Sequence, residues 1–222
     1  MKTRVICSIL LVILLGGLLF AKNGSSWKIY STSPLQQLIE GNERFARAES
    51  THPRQTVEVR KQLMAGQRPF AVIVSCSDSR VPPELIFDQG LGDLFVIRVA
   101  GNVVDSVELD SVEFAVQELQ VPLVLVLGHQ SCGAVKAVVK GDLESLRDLE
   151  DIEPYLQEAL EKSNSLVGDP LENAIKMNAL LMVQKLKKKP ILAKQIEENK
   201  LKILAGYYRL DTGCVEILER SK

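Results

Sequence analysis

Phe70-Ala71-Val72-Ile73-Val74 is a short, β-branched apolar run, followed at once by Ser75-Cys76-Ser77-Asp78-Ser79-Arg80. It has no polar face, so it reads as a strand buried on both sides, the mark of a parallel sheet. Leu94-Phe95-Val96-Ile97-Arg98-Val99 and Pro122-Leu123-Val124-Leu125-Val126-Leu127 repeat the pattern. Pro122 stands at a strand start, where its missing N–H is tolerated. Between these two runs, Asp105 with Glu108 three residues on predicts a capped helix, and Leu109, Val112, Val116 and Leu119 give it one apolar stripe. Strand, helix, strand implies parallel pairing through crossovers.

Working outward, Ser33-Pro34 predicts an N-cap with proline at the first helical position, and Leu35, Leu38, Ile39 and Phe45 then share one helical face. A second helical stretch runs from Thr56 to Ala65 and stops at Gly66. Beyond Gly141 the chain turns helical and charged, with Asp169-Pro170 opening a long helix toward Lys189. Lys185-Leu186-Lys187-Lys188-Lys189 reads as a solvated helix end whose charge complements the helix dipole. Leu201 to Tyr208 and Cys214 to Leu218 flank Leu210-Asp211-Thr212-Gly213, a hairpin pattern. The fold class is therefore α/β, with a mostly parallel central sheet flanked by helices and a C-terminal β-hairpin.

The 222 residues suit one sizeable α/β domain. With 27 basic and 28 acidic residues and a net charge of −1, the chain lacks the basic excess that a phosphate backbone demands, so no nucleic-acid partner is expected. Aromatics make up 5%, which leaves Val, Leu, Ile and Ala to build the core.

Residues 1–26 stand apart. Lys2 and Arg4 form a basic start, Val5 to Phe20 is almost wholly apolar, and Lys22-Asn23-Gly24-Ser25-Ser26 follows. This reads as a signal peptide or an N-terminal membrane anchor, with Cys7 an apolar filler inside it. Either form predicts an exported protein, periplasmic or otherwise extracytoplasmic, where thiols can be oxidised. A disulfide between any two of Cys76, Cys132 and Cys214 stays open on sequence grounds.

The chemistry gathers at two strand ends. Cys76-Ser77-Asp78-Ser79-Arg80 follows the first buried run, and Gly128-His129-Gln130-Ser131-Cys132-Gly133 follows the third. In open α/β sheets ligands bind beyond the carboxyl ends of strands, so both clusters are expected to meet there. Two thiolates and an imidazole make a three-ligand zinc set that leaves the fourth position for water or substrate. The competing reading buries Cys76 and Cys132 as small hydrophobes and His129 as a core histidine. Asp78 and Arg80, two apart, point the same way in an extended segment and can form a bidentate pair.

Cys76-Ser77-Asp78-Ser79-Arg80-Val81-Pro82, then Arg98-Val99-Ala100-Gly101-Asn102, then Gly128-His129-Gln130-Ser131-Cys132-Gly133-Ala134 resemble, in order and spacing, the signature segments of β-class carbonic anhydrases. The resemblance covers nearly all of residues 27–222, which it marks as the catalytic domain. It implies Zn2+ on Cys76, His129 and Cys132, a catalytic pair in Asp78 and Arg80, and a substrate pocket touching Phe95, Phe114 and Gly133. The implied reaction is the reversible hydration of carbon dioxide to bicarbonate and a proton, in a homodimer or higher homo-oligomer. The same family permits carbonyl sulfide or carbon disulfide as substrates. Outside the family, the rival is a non-catalytic extracytoplasmic scaffold with Cys76 and Cys132 disulfide-bonded.

Two departures stand out. In some members the Asp of the motif closes the zinc as a fourth ligand, and those members resemble one another in a Trp and a Gly just before the Cys. Here Ile73 and Ser75 take those places, which predicts an open site with Asp78 off the metal. Phe114 stands where plant-type relatives carry Tyr, so the pocket lacks that hydroxyl. The second histidine, His52 beside Pro53, reads as an exposed residue with no shuttle role.

Overall fold

The computed structural model describes residues 32–142, 144 and 147–218. The predicted targeting segment, residues 1–26, lies outside them. Among the described residues no helix is long and apolar enough to cross a membrane.

Five strands form one sheet: β1 (Ala71–Ser75), β2 (Leu94–Arg98), β3 (Leu123–His129), β4 (Lys202–Tyr208) and β5 (Val215–Leu218), in the order β2-β1-β3-β4-β5. The first four are parallel and β5 returns antiparallel to β4. Every residue of β1 and β3 is buried, as their unbroken β-branched sequences require. The third strand runs two residues further than its apolar pattern, so Gly128 and His129 belong to it.

Helices cover the sheet: α1 (Pro34–Ala46), α2 (Val57–Gln62), α3 (Pro83–Ile86), α4 (Ser106–Gln117), α5 (Gly133–Lys140), α6 (Glu153–Ser163), α7 (Pro170–Lys187) and α8 (Pro190–Glu197). The caps read from sequence are present. Ser33 Oγ accepts from Gln36 N, Thr56 Oγ1 from Val59 N and Asp169 Oδ1 from Glu172 N, and Glu108 Oε2 reaches back to Asp105 N. On α1, Leu38 is buried while Leu35 and Phe45 pack against the core; Ile39 does not join it. Asn42, on the same helix, donates to the carbonyls of Ile86 and Gly213 and accepts from Val215 N, which fastens the opening helix to the closing hairpin. Lys185 departs from the solvated reading of its run: its Nζ lies 4.1 Å from the Tyr155 ring centre and 3.5 Å from Asp105 Oδ1.

Chain direction sets the place of the site. The chain leaves β1 toward β2 on one side, while it leaves β3 toward β4 on the other. Adjacent strands whose connections diverge leave a crevice beyond their carboxyl ends. Cys76 follows β1 and His129 ends β3, so both fall at that crevice.

Candidate metal centre

Ser75 pairs with Leu127, so Cys76 comes level with Gly128, one residue before His129. Helix α7 backs this point closely. A Cβ on Gly128 would stand 3.0 Å from Ile175 Cγ2, so glycine permits the helix to press on β3 here. After His129 the chain turns through Ser131, at φ 57°, and Cys132 caps α5. The turn brings Cys132 Sγ to 4.0 Å from Cys76 Sγ. Both thiols are free, far from the roughly 2.05 Å of a disulfide. Cys214 is free and exposed on the hairpin loop.

Donor atoms of Cys76, His129 and Cys132 all lie within 4.8 Å of one another, and all three residues are buried. His129 Nδ1 lies 3.0 Å from the carbonyl of Gln130. A carbonyl only accepts, so Nδ1 carries the proton and Nε2 presents a bare lone pair. That Nε2 is buried and has no hydrogen-bond partner among the described residues. A satisfied core histidine would use both nitrogens; this one aims its free lone pair beside two sulfurs, as a metal ligand does.

The sulfur electrostatics point the same way. The hydrogen bond from Cys132 pulls the Cys76 thiol down to about 4, against the opposing effect of burial and with help from the amides of Asp78 and Gly101. Cys132 is driven up, first by giving its hydrogen to Cys76 and then by burial, with the amides of Val135 and Ala134 at the α5 start offsetting part of this. Two buried thiolates this close cannot both ionise unaided. A divalent cation between them removes the conflict, so the donor set fits zinc.

Arg80 holds Asp78 in a fork: Nε to Oδ1 at 2.8 Å and Nη2 to Oδ2 at 2.6 Å, with Arg80 N on Oδ1 at 3.0 Å. The Arg80 side chain holds the carboxyl well below the usual carboxylate range despite partial burial. Asp78 Oδ2 lies 3.9 Å from His129 Nε2, beside the three donors. Arg80 Nη2 also reaches the carbonyl of Ser131 at 3.2 Å, linking the two motif turns.

Of the pocket residues expected from sequence, Gly133 begins α5 with open space where a Cβ would be. Phe95 and Phe114 pack on each other, ring centres 6.4 Å apart. Phe95 pairs with Val72, four residues before Cys76 and so roughly 13 Å back along the strand, which keeps the two rings away from the donors of their own chain. His52 is exposed and lies outside the cluster.

Three further residues hold the site: Arg98 and Gly101, which sequence reasoning named only within a signature segment and gave no role, and Asn178, which it passed over. Arg98 donates from Nε to the carbonyl of Cys76 at 3.0 Å and from Nη2 to that of Asp78 at 2.6 Å. Gly101 N donates to Cys76 Sγ at 3.3 Å, and Asn178 Nδ2 donates to the carbonyl of Gly101 at 2.7 Å. For Arg98 the signal was a cation ending an apolar strand. For Asn178 it was an amide on the apolar stripe of a helix, four residues from both Ala174 and Met182.

Comparison with known proteins follows the same lines. The family described as carbonic anhydrase matches residues 71–215. A carbonic anhydrase of Synechococcus elongatus is 33% identical over 204 residues, 85% of this chain and 72% of that protein. Carbonic anhydrase 2 of Mycobacterium tuberculosis is 56% identical over 112 residues, 49% of this chain; the match spans 54% of that relative, about half its length. Among solved structures, the β-carbonic anhydrase CcaA is 32% identical with a TM-score of 0.65, over 84% of this chain and 96% of that one.

Proposed function

Because the chain belongs to the carbonic anhydrase family, in its β class, we propose that it interconverts carbon dioxide and bicarbonate at a zinc ion held by Cys76, His129 and Cys132. The observation that carries this reading is the buried convergence of two thiols and an unpartnered imidazole nitrogen beside a carboxylate locked on arginine. Zinc supplies Lewis acidity, bringing the ionisation of water from about 15.7 to about 7 and so making hydroxide available near neutral pH.

This chain's own residues do the positioning. Asp78 stays ionised and can only accept a hydrogen bond, so it orients a hydroxyl donor next to the three ligands and aims its lone pair at carbon dioxide. Arg80 holds both oxygens of Asp78, which would keep the carboxylate from joining Cys76, His129 and Cys132 as a ligand, the open form. Arg98 secures the backbone of both Cys76 and Asp78.

The protein acts as a homodimer or larger homo-oligomer. Phe114 and Val107 on α4 are 49% and 71% exposed, next to the edge strand β2, an apolar surface that a second copy would cover. Phe95 and Phe114 then line a substrate pocket across that interface, and light scattering on the purified protein checks the assembly. Catalysis takes place outside the cytoplasm, on the strength of the basic and apolar start of the chain.

Stopped-flow carbon dioxide hydration, on protein whose zinc has been quantified, tests the reaction. Turnover that scales with zinc content supports it. Zinc-replete protein with no hydration at neutral or alkaline pH overturns it, and carbonyl sulfide and carbon disulfide are the substrates to offer next.

A further inference from the structure

Helix α7 carries an amide where its stripe is otherwise apolar. Asn178 is 0% exposed, and Ala174, Ile175, Ala179 and Met182 on the same helix are buried with it. Its Nδ2 donates to the Gly101 carbonyl at 2.7 Å, while its Oδ1 has no hydrogen-bond partner among the described residues. A buried amide with one end unsatisfied costs stability that an apolar side chain would avoid. The cost calls for a compensating role. The amide's orientation follows from its partner, since a carbonyl can be met only by the NH2 end.

Gly101 is held from both sides. Its N–H points at Cys76 Sγ, 3.3 Å away, and its carbonyl is held by Asn178. The residue sits at φ +67°, a conformation that favours glycine, and an added Cβ would stand 3.2 Å from Leu156 Cδ2 and crowd it. Fixing the carbonyl fixes the rotation of this turn, and with it the direction in which the N–H leaves. An N–H aimed at a thiolate stabilises its charge and fixes its lone pairs, as outer-shell partners of metal ligands do.

Resting on the zinc reading above, we infer that Asn178 is a positioning residue for the Cys76 thiolate: it anchors the Gly101 turn whose N–H is donated to the metal-binding sulfur. The helix thereby sets how tightly the centre holds its metal, although no atom of it coordinates.

The test compares the full chain with Asn178→Leu, Asn178→Ser and Met182→Leu. Met182 lies one turn on and accepts from Val104 N at 3.2 Å, so its substitution disturbs the same helix without touching Gly101. Two quantities are read: zinc affinity by competition with a chelator, and the sulfur-to-metal charge-transfer band of the cobalt(II)-substituted protein. Both Asn178 variants are expected to lose about 10- to 100-fold in zinc affinity and to shift the band, the range typical of outer-shell substitutions. Met182→Leu should match the parent in both, whatever happens to its melting temperature. If Asn178→Leu does not fold, Asn178→Ser decides, because its shorter side chain ends about one bond length back from the Gly101 carbonyl and puts no larger group into the core. Asn178→Ser indistinguishable from the parent in affinity and spectrum overturns the inference while leaving the zinc reading intact. A parent protein that binds no zinc overturns both.

Discussion

The carboxylate of Asp78 is gripped by both oxygens in the guanidinium of Arg80, at 2.8 and 2.6 Å, while its Oδ2 remains 3.9 Å from His129 Nε2. The acid is thus close enough to the donors to enter a metal's coordination shell, and a single side chain restrains it. Arg80→Ala should free Asp78 to become a fourth protein ligand and cut hydration by about 100-fold or more, the scale of loss from a misplaced reacting group. Asp78→Ala should retain zinc and lose a similar share of turnover. X-ray absorption near pH 7 would separate them by ligand count; a parent already showing four protein ligands would reverse the open-site reading.

Removing a ligand should strip the metal without unfolding the chain. His129→Ala and Cys132→Ser are expected to lose zinc and hydration together, while far-UV circular dichroism stays near that of the parent, because β1 and β3 are buried by helices on both faces without any metal. Elemental analysis that finds full zinc in either variant rejects the ligand set.

Arg98 ties the backbone on either side of Ser77 through two carbonyls. Arg98→Ala should accelerate zinc release to a chelator and lower hydration by roughly 10- to 100-fold, with little change in melting temperature, since this strand end is exposed. Release at the parental rate would show that the turn holds its shape without the arginine.

Asp88 gives a stability prediction away from the site. Its side chain is 1% exposed and accepts from Arg44 Nε at 2.6 Å, from Thr51 N and Oγ1, and from His52 N. Burial alone would raise its pKa, but these donors outweigh burial and hold it below the ordinary carboxylate value. A depressed folded-state pKa means the contribution is complete above the unfolded value and disappears as pH falls through the folded one. Asp88→Asn should cost about 3 kcal/mol in urea unfolding at pH 7, the scale of breaking a buried ion pair. The gap between the two proteins should narrow as pH drops below about 4. A gap that widens in acid would contradict the assignment.

Export is checked by fractionating cells that express the full chain. Protein recovered outside the cytoplasm, shortened or membrane-held, is the expected outcome. Soluble protein in the cytoplasm that still begins at Met1 would refute it.

Much of the fold was legible because its signals are local. Unbroken runs such as Val72-Ile73-Val74 and Val124-Leu125-Val126 have one economical use, a strand buried on both faces, and Ser33, Thr56 and Asp169 cap helices through bonds to residues three positions away. Three of the four most informative site residues, Cys76, His129 and Cys132, announce themselves by ligand chemistry at strand ends, and Asp78 by its spacing from Arg80. The pocket aromatics were different. Phe95 and Phe114 are named by resemblance, and within the chain the two rings pack on each other.

By itself, then, the sequence determined the strands, the capped helices and which side chains could bind a metal, since propensity, capping and donor chemistry act over a few residues; α3, α5 and α8 went unread. Tertiary structure alone decided that β1 lies between β2 and β3, that the Cys76 and Cys132 sulfurs come to 4.0 Å, and that Asn178 reaches Gly101 across 77 residues of chain. Those contacts are set by how helices and strands pack into one dense core, where each partner is chosen by shape, burial and hydrogen-bond satisfaction over the whole molecule, and no short window of sequence contains that choice.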